Sequence, residues 1–221
     1  TIIIPSAEML VENLPHGGPA LGWARDIVSA ATRGHSMATR LLRLLRSTAD
    51  QESCVEIDRG VRELAPLLER LLEGEQVLSL DLGAQGLHVP VHASELEQII
   101  LNLVVNSRDA CPAGGTIAIA TEVAAIDRAH AERCARATEG PAVVLSVADS
   151  GHGIDEELRR RIFEPFFTTK GPERGTGLGL WTVRRIVDQR GGLVDVESVT
   201  GIGTTMRVFL PVMSACHMRG L

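Results

Sequence analysis

The sequence predicts an α/β sandwich, one mixed β-sheet covered by helices on one face, preceded by a truncated helical dimerisation hairpin. Three observations carry this. Beyond about residue 54, short apolar runs with strand character alternate with longer runs at helical spacing. Several of the strand runs read as antiparallel neighbours, which excludes a purely parallel sheet. The composition supplies a core: 44% of the 221 residues are hydrophobic, yet only 3% are aromatic, so the packing must rest on Leu, Val, Ile and Ala.

Residues 1–14 read as a helix or the end of one. They are broken at 15–19 by Pro15, Gly17, Gly18 and Pro19, a turn between helices. A second helix is predicted over 21–47. Ile27, Ala31, Gly34, Ala38, Leu41 and Leu45 recur there at heptad spacing. Two antiparallel helices bury such a seam poorly alone, and a hairpin that dimerises into a four-helix bundle would cover it. A helix packed on the following domain is the other reading. Residues 49–53 form a polar linker, and 54–213 carry the alternating elements. Strands are predicted at 55–57, 77–82, 87–91, 116–122, 143–148, 193–197 and 204–210. Helices are predicted at 59–73, 93–110, 155–162 and 178–190, with a small helical insertion over 125–139. Residues 214–221 form a tail.

A formal net charge of −6 argues against a general electrostatic grip on nucleic acid or anionic lipid. No apolar run approaches the roughly 20 residues of a membrane helix, and no signal peptide pattern opens the chain. Thr1 in place of Met marks an expected fragment or processed chain. Cys54, Cys111, Cys134 and Cys216 have no CxxC spacing, so zinc or a redox pair is not expected. Scattered thiols point to a reducing compartment, hence the cytoplasm.

Three stretches carry possible chemistry. Eight of the 22 glycines lie between 171 and 203. Gly175, Gly177 and Gly179 stand just before a predicted helix, where backbone N–H groups and the helix N-terminus suit a phosphate. The context fits neither a Rossmann nor a Walker loop, and the stretch alone reads equally as a flexible loop. Asp149 closes a strand run and is followed by Gly151 and Gly153. A carboxylate there, with glycines that let a flat ring come close, suits the amino group of a base, or else it caps a turn. Asn102 and Asn106 share one face of the 93–110 helix, with Asp109. Paired amides on an apolar helix need partners. A hydrated Mg²⁺ with phosphates is one, and a buried hydrogen-bond network is another.

In order, NLVVNSRDA, DSGHGI, FEPFFTTK, GTGLGL and GIGTT closely resemble the N, first glycine, F, second glycine and third glycine boxes of sensor histidine kinases, members of the GHKL ATPase superfamily. The forms NSRDA and FEPFFTTK look like the NtrB-like and hybrid kinases in particular. The resemblance covers about residues 54–212 and implies a Bergerat ATP-binding fold. It also implies that Asn106 ligates Mg²⁺, with Asn102 beside it near the phosphates and Asp109 on the same helix face. Asp149 would accept from the adenine amino group, Gly151 and Gly153 would admit the base, and Thr204 or Thr205 would support that end. Gly175, Thr176, Gly177, Leu178 and Gly179 would wrap the phosphates of ATP. Lys170 and Arg174 would lie in the mobile lid, where a cation could meet the γ-phosphate. His152 occupies a variable position and takes no role.

One departure separates kinase from hydrolase. Gyrase-like members carry a water-activating Glu at the position of Asn102, and an amide cannot act as a general base. The expected function is therefore a histidine protein kinase core. It would bind Mg-ATP and transfer the γ-phosphoryl group to a hairpin histidine, then to the aspartate of a response-regulator receiver domain, as a homodimer through the hairpin. The acceptor is expected upstream of Thr1, with His35 as rival and His16 less favoured. A GHKL serine kinase of anti-sigma-factor type and a non-kinase scaffold or phosphatase are the alternatives. Half of the six aromatic residues, Phe163, Phe166 and Phe167, fall in one box. Phe163 and Phe166 are expected to pack the base of the lid onto the sandwich, with aliphatic walls and Asp149 holding the adenine.

Overall fold

In a computed structural model, which describes residues 20, 22–23, 54–72, 74–128, 137, 139–170 and 175–213, the alternation beyond residue 54 becomes seven strands and four helices. The chain divides into two compact units, residues 1–51 and 52–221. Apart from Ala20, Gly22 and Trp23, the predicted hairpin, with His16 and His35, lies outside the described residues, as do the linker, the tail and Arg174.

In chain order the elements are β1 (Val55–Glu56), α1 (Ile57–Leu71), β2 (Val77–Leu82), β3 (His88–Val89), α2 (Ala93–Ala110), β4 (Thr116–Ile126) and β5 (Gly140–Asp149). Then come α3 (Glu156–Arg159), α4 (Gly179–Gln189), β6 (Leu193–Val199) and β7 (Gly203–Pro211). β1 and β3 form a small antiparallel pair, and the main sheet has the order β2-β4-β5-β7-β6. β2 runs parallel to β4, and every other pairing in that sheet is antiparallel, so the sheet is mixed as the sequence predicts.

One face of the sheet carries the core. Ile117 and Ile119 of β4, Val143, Leu145 and Val147 of β5, and Met206, Val208 and Leu210 of β7 alternate onto it, as strand geometry requires. Against them pack Val61 and Leu68 of α1, Leu96, Ile99, Ile100, Leu103 and Val104 of α2, and Val183, Ile186 and Val187 of α4. Each fully buried Leu, Ile or Val contributes about 1.5–3 kcal/mol of transfer free energy. A smaller cluster joins Ile126, Ala142, Val144, Leu193 and Phe209.

α2 covers the predicted 93–110. Its first turn is closed by a capping box in which His92 N–H donates to Glu95 Oε2 at 2.9 Å. Other boundaries move. β4 continues four residues beyond 122, because Val123–Ile126 pair with Gly140–Val143 of β5. The predicted insertion is thus strand at its start, and residues 129–136 lie outside the described ones. The predicted helix 155–162 shortens to Glu156–Arg159: Arg161 and Ile162 both bond back to Leu158 O, after which the chain turns toward Pro165.

Candidate functional site

The site is built around the C-terminal half of α2. At one end stands Asp149, the last residue of β5. Its Oδ1 accepts from Gly151 N–H at 2.9 Å and Thr204 N–H at 3.2 Å, and its Oδ2 accepts from Ser107 Oγ at 3.0 Å. The carboxylate is therefore aimed by three elements at once: its own turn, β7 and α2. Gly151 is obligatory there, since a Cβ would stand 2.7 Å from both Ala110 O and Asp149 Oδ1. Gly153 lies against the Val199 carbonyl of β6. The backbone of His152 ties these pieces together, donating to Ala110 O and accepting from Gly201 N–H.

Thr204 and Thr205 separate on opposite faces of β7. Thr204 is buried, faces the core side and hydrogen-bonds Ser198 Oγ at 2.9 Å. Strand alternation turns Thr205 to the other face with Arg207, so of the two residues the structure brings only Thr204 to Asp149.

At the other end, Asn102 and Asn106 face the start of α4. A Cβ on Gly179 would lie 3.4 Å from Asn102 Oδ1 and 3.7 Å from Asn106 Nδ2. The positive end of the α4 dipole and its unpaired first N–H groups thus open beside two amides. Leu178 is the buried N-cap of α4, and Thr176 is exposed just before it. Gly177 takes φ +65 and its N-terminal neighbour in space is Phe166: Phe166 N–H donates to Gly177 O at 2.9 Å, and a Cβ on Gly177 would run into the Phe166 backbone. Gly175 lies against Thr168 and Lys170.

Lys170 reaches this end from the loop after the Phe cluster. Its Nζ donates to Asp109 Oδ2 at 2.6 Å and to Asn106 Oδ1 at 3.4 Å. Arg108 closes on the other oxygen of Asp109 at 2.7 Å and also donates to Leu71 O. Partial burial opposes the charged form of Asp109. The hydrogen bonds and positive charges of Lys170 and Arg108 outweigh it and hold the pKa below the ordinary carboxylate value.

Phe166 corrects the sequence reading. The residue is 66% exposed and does not pack the loop onto the sandwich. The cause is its backbone: φ is +66, a left-handed conformation imposed by the close approach to Gly177, and it leaves the ring outside. Phe163 does pack against the core, with the Arg184 guanidinium 5.5 Å from its ring.

Ser107 is the site residue that motif reading passes over. It is buried on the core stripe of α2, four residues beyond Leu103. A hydroxyl on an apolar stripe requires a buried partner, and that signal was present in the sequence.

The donor set suits a hard cation shared with phosphates. Asn102 Oδ1 stands beside the start of α4, and Asn106, one turn on, carries an Oδ1 that already accepts from the Lys170 ammonium. Among the described residues no group of three or more His, Cys, Asp or Glu could hold a metal by itself. None of the described helices is long and apolar enough to cross a membrane.

Residues 91–214 match the family described as histidine kinase-, DNA gyrase B- and HSP90-like ATPase. The chain is 36% identical over 212 residues to the sensor kinase CckA of Brucella abortus (strain 2308), an alignment that takes in 96% of this chain and 22% of that protein. The chain spans less than half the length of the curated relatives it matches first. Among solved structures, the nucleotide-free catalytic domain of histidine kinase ThkA superposes with a TM-score of 0.56 at 27% identity, covering 73% of this chain and 96% of that one. ThkA in complex with the response regulator protein TrrA superposes with a TM-score of 0.63 at 22% identity, covering 96% and 57%.

Proposed function

The chain belongs to the family of histidine kinase-, DNA gyrase B- and HSP90-like ATPases, and we propose that it is the ATP-binding catalytic core of a two-component histidine kinase. In this reading residues 54–213 are the catalytic domain. Residues 1–48 are part of a dimerisation and phosphotransfer hairpin, joined by a linker at 49–53, and the parent acts in the cytoplasm as a homodimer. The observation that carries the proposal is the shared scaffold of two dissimilar ends. A carboxylate held by three hydrogen bonds and an amide pair facing a helix N-terminus both depend on the same two turns of α2.

Asp149 accepts from the adenine amino group through the lone pairs its protein donors leave open, and Thr204 braces it. The glycines around 175–179 and the first N–H groups of α4 receive the phosphates. Asn106, with Asn102 beside it, would hold Mg²⁺. When bound, that ion would supply neutralisation of phosphate charge. Lys170 moves its ammonium from Asp109 and Asn106 toward the γ-phosphoryl group. Asn102 has no basic atom to take a proton from water, so the site aligns the phosphoryl group for an external nucleophile rather than for hydrolysis. A neutral imidazole needs no general base to attack. Positioning and electrostatic stabilisation therefore supply most of the acceleration. The phosphoryl group passes to a histidine upstream of residue 1, then to an aspartate on a response regulator. The relative ThkA, whose structure in complex with the response regulator protein TrrA superposes on this chain, supports a response regulator as partner.

The test is incubation of the chain, and of the parent sequence extended upstream, with ATP labelled at the γ-phosphate. The proposal expects acid-labile label on the extended chain only. Acid-stable label would mean a serine kinase. Acid-labile label on the present chain, removed by His35→Ala, would move the acceptor to the second helix.

A further inference from the structure

α4 is held at both ends, and the end far from the glycines contains an ion pair that the nucleotide chemistry does not use. Arg190, directly after α4, donates from Nε to Glu95 Oε2 at 3.1 Å and from Nη2 to Glu95 Oε1 at 2.9 Å. This is a two-point fork on a carboxylate whose side chain is only 9% exposed. Glu95 belongs to the first turn of α2 and also receives the His92 N–H of the capping box. The exit from α4 is pinned a second time two residues on, because a Cβ on Gly192 would collide with the Phe209 carbonyl of β7.

The helix lengths convert this into a statement about the site. α4 has 11 residues, about 16 Å of rise. Along α2, the distance from Glu95 to Asn102–Asn106 is seven to eleven residues, about 10–16 Å. α4 therefore lies antiparallel on α2, with Arg190 at Glu95 and Gly179 at the amide pair. Apolar contacts through Val183, Ile186 and Val187 hold the two helices together. Such contacts tolerate sliding and rotation far better than a forked ion pair does. The bond also joins the negative end of one helix dipole, carrying a cation, to the positive end of the other, carrying an anion.

We propose that Arg190 and Glu95 are positioning residues for nucleotide binding. Their fork sets the axial place of α4 and so fixes how far its N-terminal N–H groups stand from Asn102 and Asn106. The proposal rests on the reading of this site as a nucleotide site. It separates the two ends of the ligand, because the hydrogen bonds that aim Asp149 come from Gly151, Thr204 and Ser107 and none of these residues belongs to α4. Loosening the fork must weaken the phosphate contacts and spare the base contacts.

The experiment measures binding of Mg-ADP and of adenosine to the whole chain and to Arg190→Gln, Arg190→Lys and Glu95→Gln, with denaturation curves for each. Arg190→Lys keeps the charge but loses the fork, and it serves if Arg190→Gln does not fold. The expected result is a rise of about tenfold in the Kd for Mg-ADP, with adenosine affinity unchanged within twofold. Loss of stability with both affinities unchanged, or equal weakening of the two ligands, would overturn the proposal and leave a plain structural ion pair. Asp149→Asn is the control for the underlying reading and should weaken both ligands. If it weakens neither, the nucleotide assignment fails irrespective of Arg190.

Discussion

Replacing Asp149 with Asn is the sharpest perturbation of the base end, because the structure allows the cost to folding and the cost to binding to be separated. The amide oxygen can stay where Oδ1 now accepts from Gly151 and Thr204. The new NH₂ takes the place of Oδ2 and donates to Ser107 Oγ, which can rotate to accept. All three protein contacts survive in neutral form. Exchange of charge-assisted for neutral hydrogen bonds costs the fold about 1 kcal/mol. Binding fares worse. The adenine amino group then meets N–H donors in place of an open acceptor, a buried mismatch of about 1.5–3 kcal/mol. That converts to about a 10- to 150-fold rise in Kd. Calorimetric titration with a non-hydrolysable ATP analogue in Mg²⁺ buffer reads the second quantity, and urea denaturation reads the first. Binding within twofold of the parent chain would refute the assignment of Asp149. A stability loss of several kcal/mol would refute the claim that its contacts adapt.

Further outcomes follow from individual contacts. Phe166→Ala should change stability by no more than about 0.5 kcal/mol, as for an ordinary surface position. Phe163→Ala, which opens the core edge, should cost about 2–3 kcal/mol by the same denaturation curves. Gly177→Ala should abolish high-affinity nucleotide binding while circular dichroism keeps its helix and strand signal, because the Cβ would drive the loop away from Phe166. The lowered pKa of Asp109 favours its charged form in the fold, so the stability it contributes is fully present above the ordinary carboxylate pKa. It is lost as pH falls through the lower folded value. Denaturation midpoints between about pH 2 and 5 should therefore drop less steeply with acid in Asp109→Asn than in the parent chain.

Periodicity made α2 legible to the residue, since its apolar stripe, its amide face and the turn at Pro112 all agree. The sheet was legible as mixed but not as an order of strands. The pairing of β2 with β4 and the central place of β5 depend on contacts far apart in sequence, which local spacing does not encode. The glycine boxes showed where the chain approaches something closely, and at Gly177 the nearest neighbour is Phe166 backbone. Motif reading gave Phe166 a packing side chain, whereas the turn uses its amide and leaves the ring outside. Thr205 was indistinguishable from Thr204 until the register Asp149↔Thr204 set the face of each. The partners of Ser107 and Arg190 were hidden for a similar reason: Asp149 and Glu95 lie across the fold from them, at separations no motif spans.

The central claim is that the Asp149 end and the α4 end belong to one ATP site. Amide chemical shifts of the ¹⁵N-labelled chain, followed during titration with Mg²⁺ and a non-hydrolysable ATP analogue, test it most directly. The account predicts that Gly151 and Thr204 at one end, and Gly177, Gly179 and Leu180 at the other, shift together along one saturation curve. Adenosine should move only the first group. Shifts confined to one end in the presence of the full nucleotide, or two curves with different midpoints, would contradict it.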